Sequence, residues 1–484
     1  MIAEDVGAPA IAAPMDPAFI IFRQQKARIM KRKNRLSRRT FLKQFGAGSI
    51  AALAVPNLLP SQAFGQTPFH VDMVSQPPAD VPTVKPWKTV PLDPAYGGEW
   101  VVMADVDGDG QVETVSCRNV NGRSADNTSD AHYTSTAVAQ KLDGSVLWRW
   151  GEPGIGQRGL SYDVACQIYD WDGDGRNEVV LCTKGALVEL EGATGKERRR
   201  FPLPPEATDS IAFANLSGGP RLAEVLVKTR YGQIWAYNYA GRLLWTVKNP
   251  GGYRTAHQPF PVDVDRDGRD EIMAGFALLN PDGTVRWVLK SDKVNLASGH
   301  LDCCRVLRAG TKPEDFRLVM TYCGAKCIAV ADGTGKAFWE VPGQHYESID
   351  VGKVRTDVPG MQILVDVDHQ PSGHSPICLM DENGQLLGTI NTRSSRIHKL
   401  LDWNGDGLDE IVLADCAGVF DGHGKQIARL ENGGGSLLIG DMTGDGVPDI
   451  ALANNQRVFI YKNESGVKPA TPAPFGGGLN YTLY

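Results

Sequence analysis

The chain lacks an excess of positive charge. Fifty Lys and Arg stand against 56 Asp and Glu, a formal net charge of −6, which excludes the basic surface that nucleic acid requires. It lacks a membrane-length apolar run in its most apolar leader-like stretch, since residues 45–59 are few and include Pro56. It lacks an even cysteine count. Nine cysteines leave at least one thiol unpaired within the chain. Cys303-Cys304 and Cys323-x-x-x-Cys327 are close enough in sequence to pair, with connectivity open. Cys166, Cys182 and Cys416 lie in apolar contexts that read as buried thiols.

What is present begins with an export signal. Ser37-Arg38-Arg39-Thr40-Phe41-Leu42-Lys43 is a twin-arginine motif, followed by the apolar stretch and by Ser61-Gln62-Ala63, a small-x-small cleavage site. Residues before Met30 have no signal character, so Met30 is the candidate start. Residues 1–63 carry ten Lys or Arg and three Asp or Glu, so their removal leaves a more acidic protein in the periplasm or outside the cell. The expected organisation is signal region 1–63, N-terminal strand and linker 64–95, repeat domain 96–463 and tail 464–484.

Five acidic loops recur, beginning at Asp105, Asp170, Asp263, Asp402 and Asp441. Oxygen side chains fall at positions 1, 3, 5 and 9, and Gly stands at position 6. The sets are Asp105, Asp107, Asp109 and Glu113; Asp170, Asp172, Asp174 and Glu178; Asp263, Asp265, Asp267 and Glu271; Asp402, Asn404, Asp406 and Glu410; and Asp441, Thr443, Asp445 and Asp449. Calcium takes six to eight oxygen ligands, and the layout suits it. The last acid comes at position 9 and not 12, which excludes an EF-hand. Apolar segments flank each loop, so the unit is strand, ion loop, strand. Loops that recur with the fold period suit structural calcium, because catalysis needs one unique site.

Between these loops lies a second signature, a Gly turn leading into an apolar or aromatic strand. It appears at Leu142 to Trp148, Tyr239 to Trp245 and Asn280 to Trp287, with weaker copies at Ala331 to Trp339, Met380 to Leu387 and Asp421 to Ile427. A degenerate copy of the acidic loop falls at Asn215, and the segments around Asp302 and Asp350 keep the strand but not the loop. Repeats therefore start near 105, 170, 215, 263, 302, 350, 402 and 441, a spacing that suits four-stranded blades. The expectation is an all-β propeller of eight blades, with seven as the alternative count. A β-sandwich array is the alternative fold. An insertion, Asn119 to Thr134, lengthens the first repeat, and Val84 to Val90 is placed to supply the strand that the last repeat lacks. The end of the tail, Leu479 to Tyr484, reads as a short apolar segment that docks on the propeller.

Function is expected where the repeats differ. Asp130-Ala131-His132-Tyr133, Lys228-Thr229-Arg230-Tyr231, Tyr253-Arg254-Thr255-Ala256-His257, Gly299-His300-Leu301-Asp302 and His345-Tyr346-Glu347 do not recur. Many precede the first strand of a repeat, which would put them on one face of a ring. His345, His369, His374 and Cys378 also offer donors for a transition metal, centred on His369 and His374, although their spacing matches no tight zinc motif.

The acidic loops resemble FG-GAP/VCBS-type repeats. Lys228 to Trp245, Ala256-His257-Gln258-Pro259 with Asp263 to Glu271, and Asp366 to Pro376 resemble β-propeller polysaccharide lyases. That group includes family 11 rhamnogalacturonan lyases, ulvan lyases and rhamnose–glucuronate lyases. The resemblance implies β-elimination on an acidic, uronate-containing polysaccharide by a monomer with neither nucleic acid nor membrane as partner. It implies that Arg230 or Arg254 holds the uronate carboxylate, His132 or His257 is the base and Tyr231 the acid. Lys228, Tyr253, His300 and His345 would line the subsite. A calcium-dependent glycan-binding or adhesion propeller is the rival reading. A quinoprotein oxidoreductase is a weaker one, resting on Cys303-Cys304 and a single docking-like stretch, Ala331 to Trp339.

Overall fold

The computed structural model describes residues 59–60, 67–122, 131–159, 163, 165–393 and 397–469. The twin-arginine motif, the cleavage site, Asp130 and the apolar end of the tail lie outside them. Among the described residues no helix is long and apolar enough to cross a membrane.

Eight antiparallel four-stranded meanders follow one another along the chain. We call them blades 1 to 8: residues 100–151, 166–202, 211–248, 255–288, 300–342, 345–392, 398–430 and 436–461. Blade 8 has only three strands of its own. Its fourth is Lys88–Pro91, paired antiparallel with Arg457 to Ile460. The closing strand therefore overlaps the end of the segment expected to supply it, whereas Val84 pairs with blade 7, and the ring is joined by hydrogen bonds between the two ends of the domain. The first strand of blade 8 in turn neighbours that of blade 1. Ahead of the closing strand, Phe69–Asp72 and Thr83–Val84 lie parallel to the outer strands of blades 6 and 7.

Hydrophobic clusters fill the spaces between adjacent blades. One joins Val180 and Leu187 of blade 2 to Phe213, Val225 and Trp235 of blade 3. The Gly-turn signature has a packing reason. Trp148, Trp245, Trp287 and Trp339 each donate the indole N–H to a carbonyl in the next blade's third turn: Gly192, Pro281, Gly333 and Glu382, at 2.6–2.9 Å. The turn glycine lies against the ring. At Gly335, φ is +84° and a Cβ would stand 2.8 Å from Trp287. Gly335→Ala is therefore expected to cost about 1–3 kcal/mol, from left-handed backbone plus the clash. A thermal melt of the variant measures this.

The acidic loops join the first and second strands of their blades. In every one the position-9 acid accepts the position-2 amide: Val106 to Glu113 at 3.0 Å, Trp171 to Glu178 at 2.9 Å, Val264 to Glu271 at 3.0 Å, Trp403 to Glu410 at 2.8 Å and Met442 to Asp449 at 3.0 Å. Two of the degenerate blades, 3 and 6, keep this bond, blade 6 with a Gln in place of the acid. Leu216 N–H donates to Glu224 at 2.8 Å, and Val354 N–H donates to Gln362 at 2.8 Å. The turn is thus a backbone device first, which explains why repeats that lost the ion-type oxygens remain blades.

The described part of the insertion in the first repeat extends the second and third strands of blade 1, with Asn119 paired to Thr134 and Val120 to Tyr133. All nine cysteines are free thiols. Cys323 and Cys327 sit on adjacent strands of blade 5, with Cys327 paired to Tyr322. Cys166 and Cys182 are buried, and Cys416 is half-buried.

Candidate functional site

Strand direction sorts the chemistry onto two faces. Acidic loops occupy ends of first strands. The non-repeating polar residues occupy starts of first strands, ends of second strands and starts of third strands, which lie at the opposite end of an antiparallel meander. His300 and His345 begin first strands, and His257 follows closely after the start of one. Lys228 ends a second strand, Arg230 and Tyr231 form the next turn, and His132 is second in a third strand.

One contiguous network results. Asp209, just ahead of blade 3, is its first anchor. It contacts His132 Nδ1 at 2.9 Å, Lys228 Nζ at 2.7 Å and Arg230 Nη1 at 3.8 Å. Lys228 also donates to the Arg230 carbonyl at 2.9 Å. Asp209 and Lys228 are buried at 2% and 0% exposure. Burial alone would raise the Asp209 carboxyl, but Lys228, His132 and Arg230 outweigh it and hold the group far below the usual range. Arg230 then lies beside the Tyr231 ring, with its guanidinium carbon 5.3 Å from the centroid. Exposed Arg254 lies at 5.5 Å from the same centroid.

Tyr231 meets two histidines. Its ring centroid is 4.5 Å from His300 and 5.3 Å from His257, and its hydroxyl lies 3.4 Å from His257 Nε2. Asp302 is the second anchor, with Oδ1 3.2 Å from His257 Nε2 and 2.8 Å from His300 Nε2. Burial raises the Tyr231 phenol, so it stays protonated at neutral pH. Burial pushes the His300 imidazole down to about 3, so it stays neutral. A protonated phenol, a neutral imidazole and two guanidinium groups therefore share one half-open patch.

His345 joins the network beyond Asp302. Its Nε2 lies 3.0 Å from Glu347 Oε1 and 2.6 Å from Cys323 Sγ. Its ring lies 4.4 Å from that of exposed His369. Tyr253 does not join. It stacks edge-on against Phe276 at 5.6 Å. Nor do His374 and Cys378 gather round His345: His374 Nδ1 lies 3.3 Å from Asn391 Nδ2, and Cys378 is buried in the middle of blade 6, paired to Val365. Asp302 and Glu347 stand in the non-recurring clusters but carry no role in the sequence reading, and Asp209 and Cys323 lie outside those clusters. Asp209 carried a signal, since it too precedes a first strand.

A buried ion pair lies next along the ring. His398 Nδ1 is 2.8 Å from Asp350, and its Nε2 is 3.6 Å from Asp366. Burial opposes the charged imidazole, but the two carboxylates outweigh burial and raise it to about 9. Against about 6.5 in the unfolded chain, this is worth roughly 3 kcal/mol. The sign follows: the contribution is complete below pH ~6.5 and fades as pH rises through about 9. His398→Gln is expected to flatten the alkaline limb of stability in urea melts run across that range.

The acidic loops fit a hard cation in part. Asp105, Asp107 and Glu113, and likewise Asp170, Asp172 and Glu178, each bring one oxygen within 4.8 Å of the others. Burial, with nearby aspartates, pushes Glu113, Glu178 and Glu271 up to about 7. Yet Lys141 reaches Asp107 at 2.8 Å, Arg198 reaches Glu178 at 2.8 Å and Arg286 reaches Glu271 at 2.6 Å. These basic ends share the carboxylates with any bound ion.

The relatives agree with this architecture. Residues 80–199 match the C-terminal domain of rhamnogalacturonan lyase family 11. The rhamnogalacturonan endolyase YesW of Bacillus subtilis (strain 168) is 26% identical over 282 residues, covering 44% of this chain and 45% of the relative. The rhamnogalacturonan exolyase YesX of the same organism is 24% identical over 409 residues, covering 70% and 64%. The chain thus spans less than two thirds of the length of either. A solved Bacillus licheniformis rhamnogalacturonan lyase PL11 superposes with a TM-score of 0.58 at 21% identity, over 78% of this chain and 76% of that one. The chain is an eight-bladed β-propeller similar over part of its length to the family 11 rhamnogalacturonan lyases.

Proposed function

We propose that the protein is an exported polysaccharide lyase that cleaves a rhamnose-linked, uronate-containing polymer by β-elimination. The observation that carries this reading is the convergence of Tyr231, His257, His300, Arg230 and Arg254 on one face. The chemistry needs three things: neutralisation of the uronate carboxylate, a base for the C5 proton and an acid for the departing O4. Exposed Arg254 suits the carboxylate, since Arg230 is buried beside Asp209. His257 takes the C5 proton, and its imidazolium is stabilised by Asp302 at 3.2 Å. The C5–H electrons form the C4=C5 double bond as the C4–O4 bond breaks, and Tyr231 protonates O4. His132 and Lys228 act through Asp209 to hold Arg230 and the blade 3 turn. His300 lines the subsite, with His345 at its far edge.

The acidic loops bind calcium in this reading, with Lys141, Arg198 and Arg286 swinging away as the ion enters. The ion fixes the turns opposite the site and takes no part in the chemistry. Twin-arginine export would place the protein, as a monomer, in the periplasm or outside the cell. Purified protein incubated with rhamnogalacturonan or ulvan should generate the ultraviolet absorbance of an unsaturated uronate. Calcium at about 100 times its Kd should add about 2.7 kcal/mol of stability for each occupied loop, reversed by chelator. Binding of the polymer without absorbance would replace the lyase by a glycan-binding propeller.

A further inference from the structure

At the junction of blades 5 and 6, three strands deliver four donors of mixed type. Asp302 comes from the first strand of blade 5, Cys323 from the end of its second, and His345 and Glu347 from the first strand of blade 6. One donor atom from each lies within 4.8 Å of the others. Glu347 Oε1 is 3.0 Å from His345 Nε2 and 4.0 Å from Cys323 Sγ. Ligands at about 2.0–2.3 Å from a tetrahedral ion stand about 3.3–3.7 Å apart, so small side-chain adjustments suffice. Asp302 is fully buried, and Cys323 and Glu347 are nearly so. The acidic loops have oxygen donors alone, whereas this set has one thiol, one imidazole and two carboxylates. That composition favours a borderline metal over calcium.

We propose that Asp302, Cys323, His345 and Glu347 bind one zinc-class divalent ion. Four protein ligands close the coordination sphere, so the ion positions groups and does not activate water. Its effect on the neighbouring patch passes through Asp302, whose Oδ1 also faces His257 and His300. A bound ion fixes that carboxylate, and the carboxylate fixes both imidazoles. Two buried acids beside a thiol also gain a compensating charge. The ion does not depend on the lyase reading, because the same ligands would hold it in a glycan-binding propeller.

The test uses the whole chain, stripped with chelator and then given zinc or cobalt(II). One zinc per chain should survive dialysis against calcium-containing buffer, as measured by elemental analysis. Cobalt(II) should give a thiolate-to-metal band in the near ultraviolet, which oxygen-only loops cannot produce. Cys323→Ser should abolish the band, and His345→Ala should weaken zinc binding at least about tenfold. Circular dichroism checks that each variant is folded. The wild-type spectrum stands as a test even where a variant does not fold. Absence of retained zinc and of the band in wild-type protein would overturn the proposal, as would an unchanged band in folded Cys323→Ser.

Discussion

Tyr231→Phe is expected to lower turnover of a uronate polymer about 10²–10⁴-fold, the usual range for loss of a positioned proton donor. The substitution isolates the hydroxyl. The ring still packs on His300 and still lies under the Arg254 guanidinium, so the melting temperature should hold. His257→Ala should cost a similar factor, and the two losses should not add, because the hydroxyl and imidazole serve one elimination. Arg254→Ala should reduce kcat/KM with little effect on folding, since Arg254 is exposed. Steady-state absorbance assays on each variant check all three. Wild-type rates in Tyr231→Phe and His257→Ala together would remove both residues from the chemistry.

Asp209→Ala should be the most destabilising single change at the site. The carboxylate balances Lys228, which has no solvent exposure, and it lies 3.8 Å from Arg230. Removing one partner of a buried ion pair leaves an uncompensated charge and costs about 3–5 kcal/mol. Asp209→Asn should cost less, since it keeps polar atoms near His132 and Lys228. Pairing Asp209→Ala with Lys228→Met should restore part of the loss, because no buried ammonium then remains. Chemical denaturation of the single and double variants measures this coupling. A near-neutral Asp209→Ala would mean that Lys228 finds another partner in the folded state.

Much of the architecture was readable from local pattern. The eight repeat starts fall within or directly after the first strands of the eight blades, because each acidic loop joins a first strand to a second and the repeats without one keep the strand. The Gly turns were readable for the same reason. Each is a short-range hydrogen-bonded unit, as where Asp282 accepts the Thr284 amide at 2.9 Å. The tryptophan after four of the turns was visible, but its acceptor carbonyl in the next blade was not, since that contact needs two blades already packed. The blade 1 insertion was visible only as extra length. Its cross-strand pairing, which carries His132 towards Asp209, depends on register.

The site shows the same division more sharply. The His, Tyr and Arg clusters stood out because they break the repeat, yet their partners were ordinary acids within it. Asp209 and His132 are 77 residues apart in the chain and 2.9 Å apart in space. By itself the sequence determined the blade period, the closing strand and the face on which unique side chains would lie, since hydrophobic alternation and turn chemistry act over a few residues. The tertiary structure alone decided which carboxylate each cation and imidazole would meet, and that Cys323 and not Cys378 would stand beside His345. Those pairings are set by ring closure and inter-blade packing, which bring distant strands together without leaving any local mark in the chain.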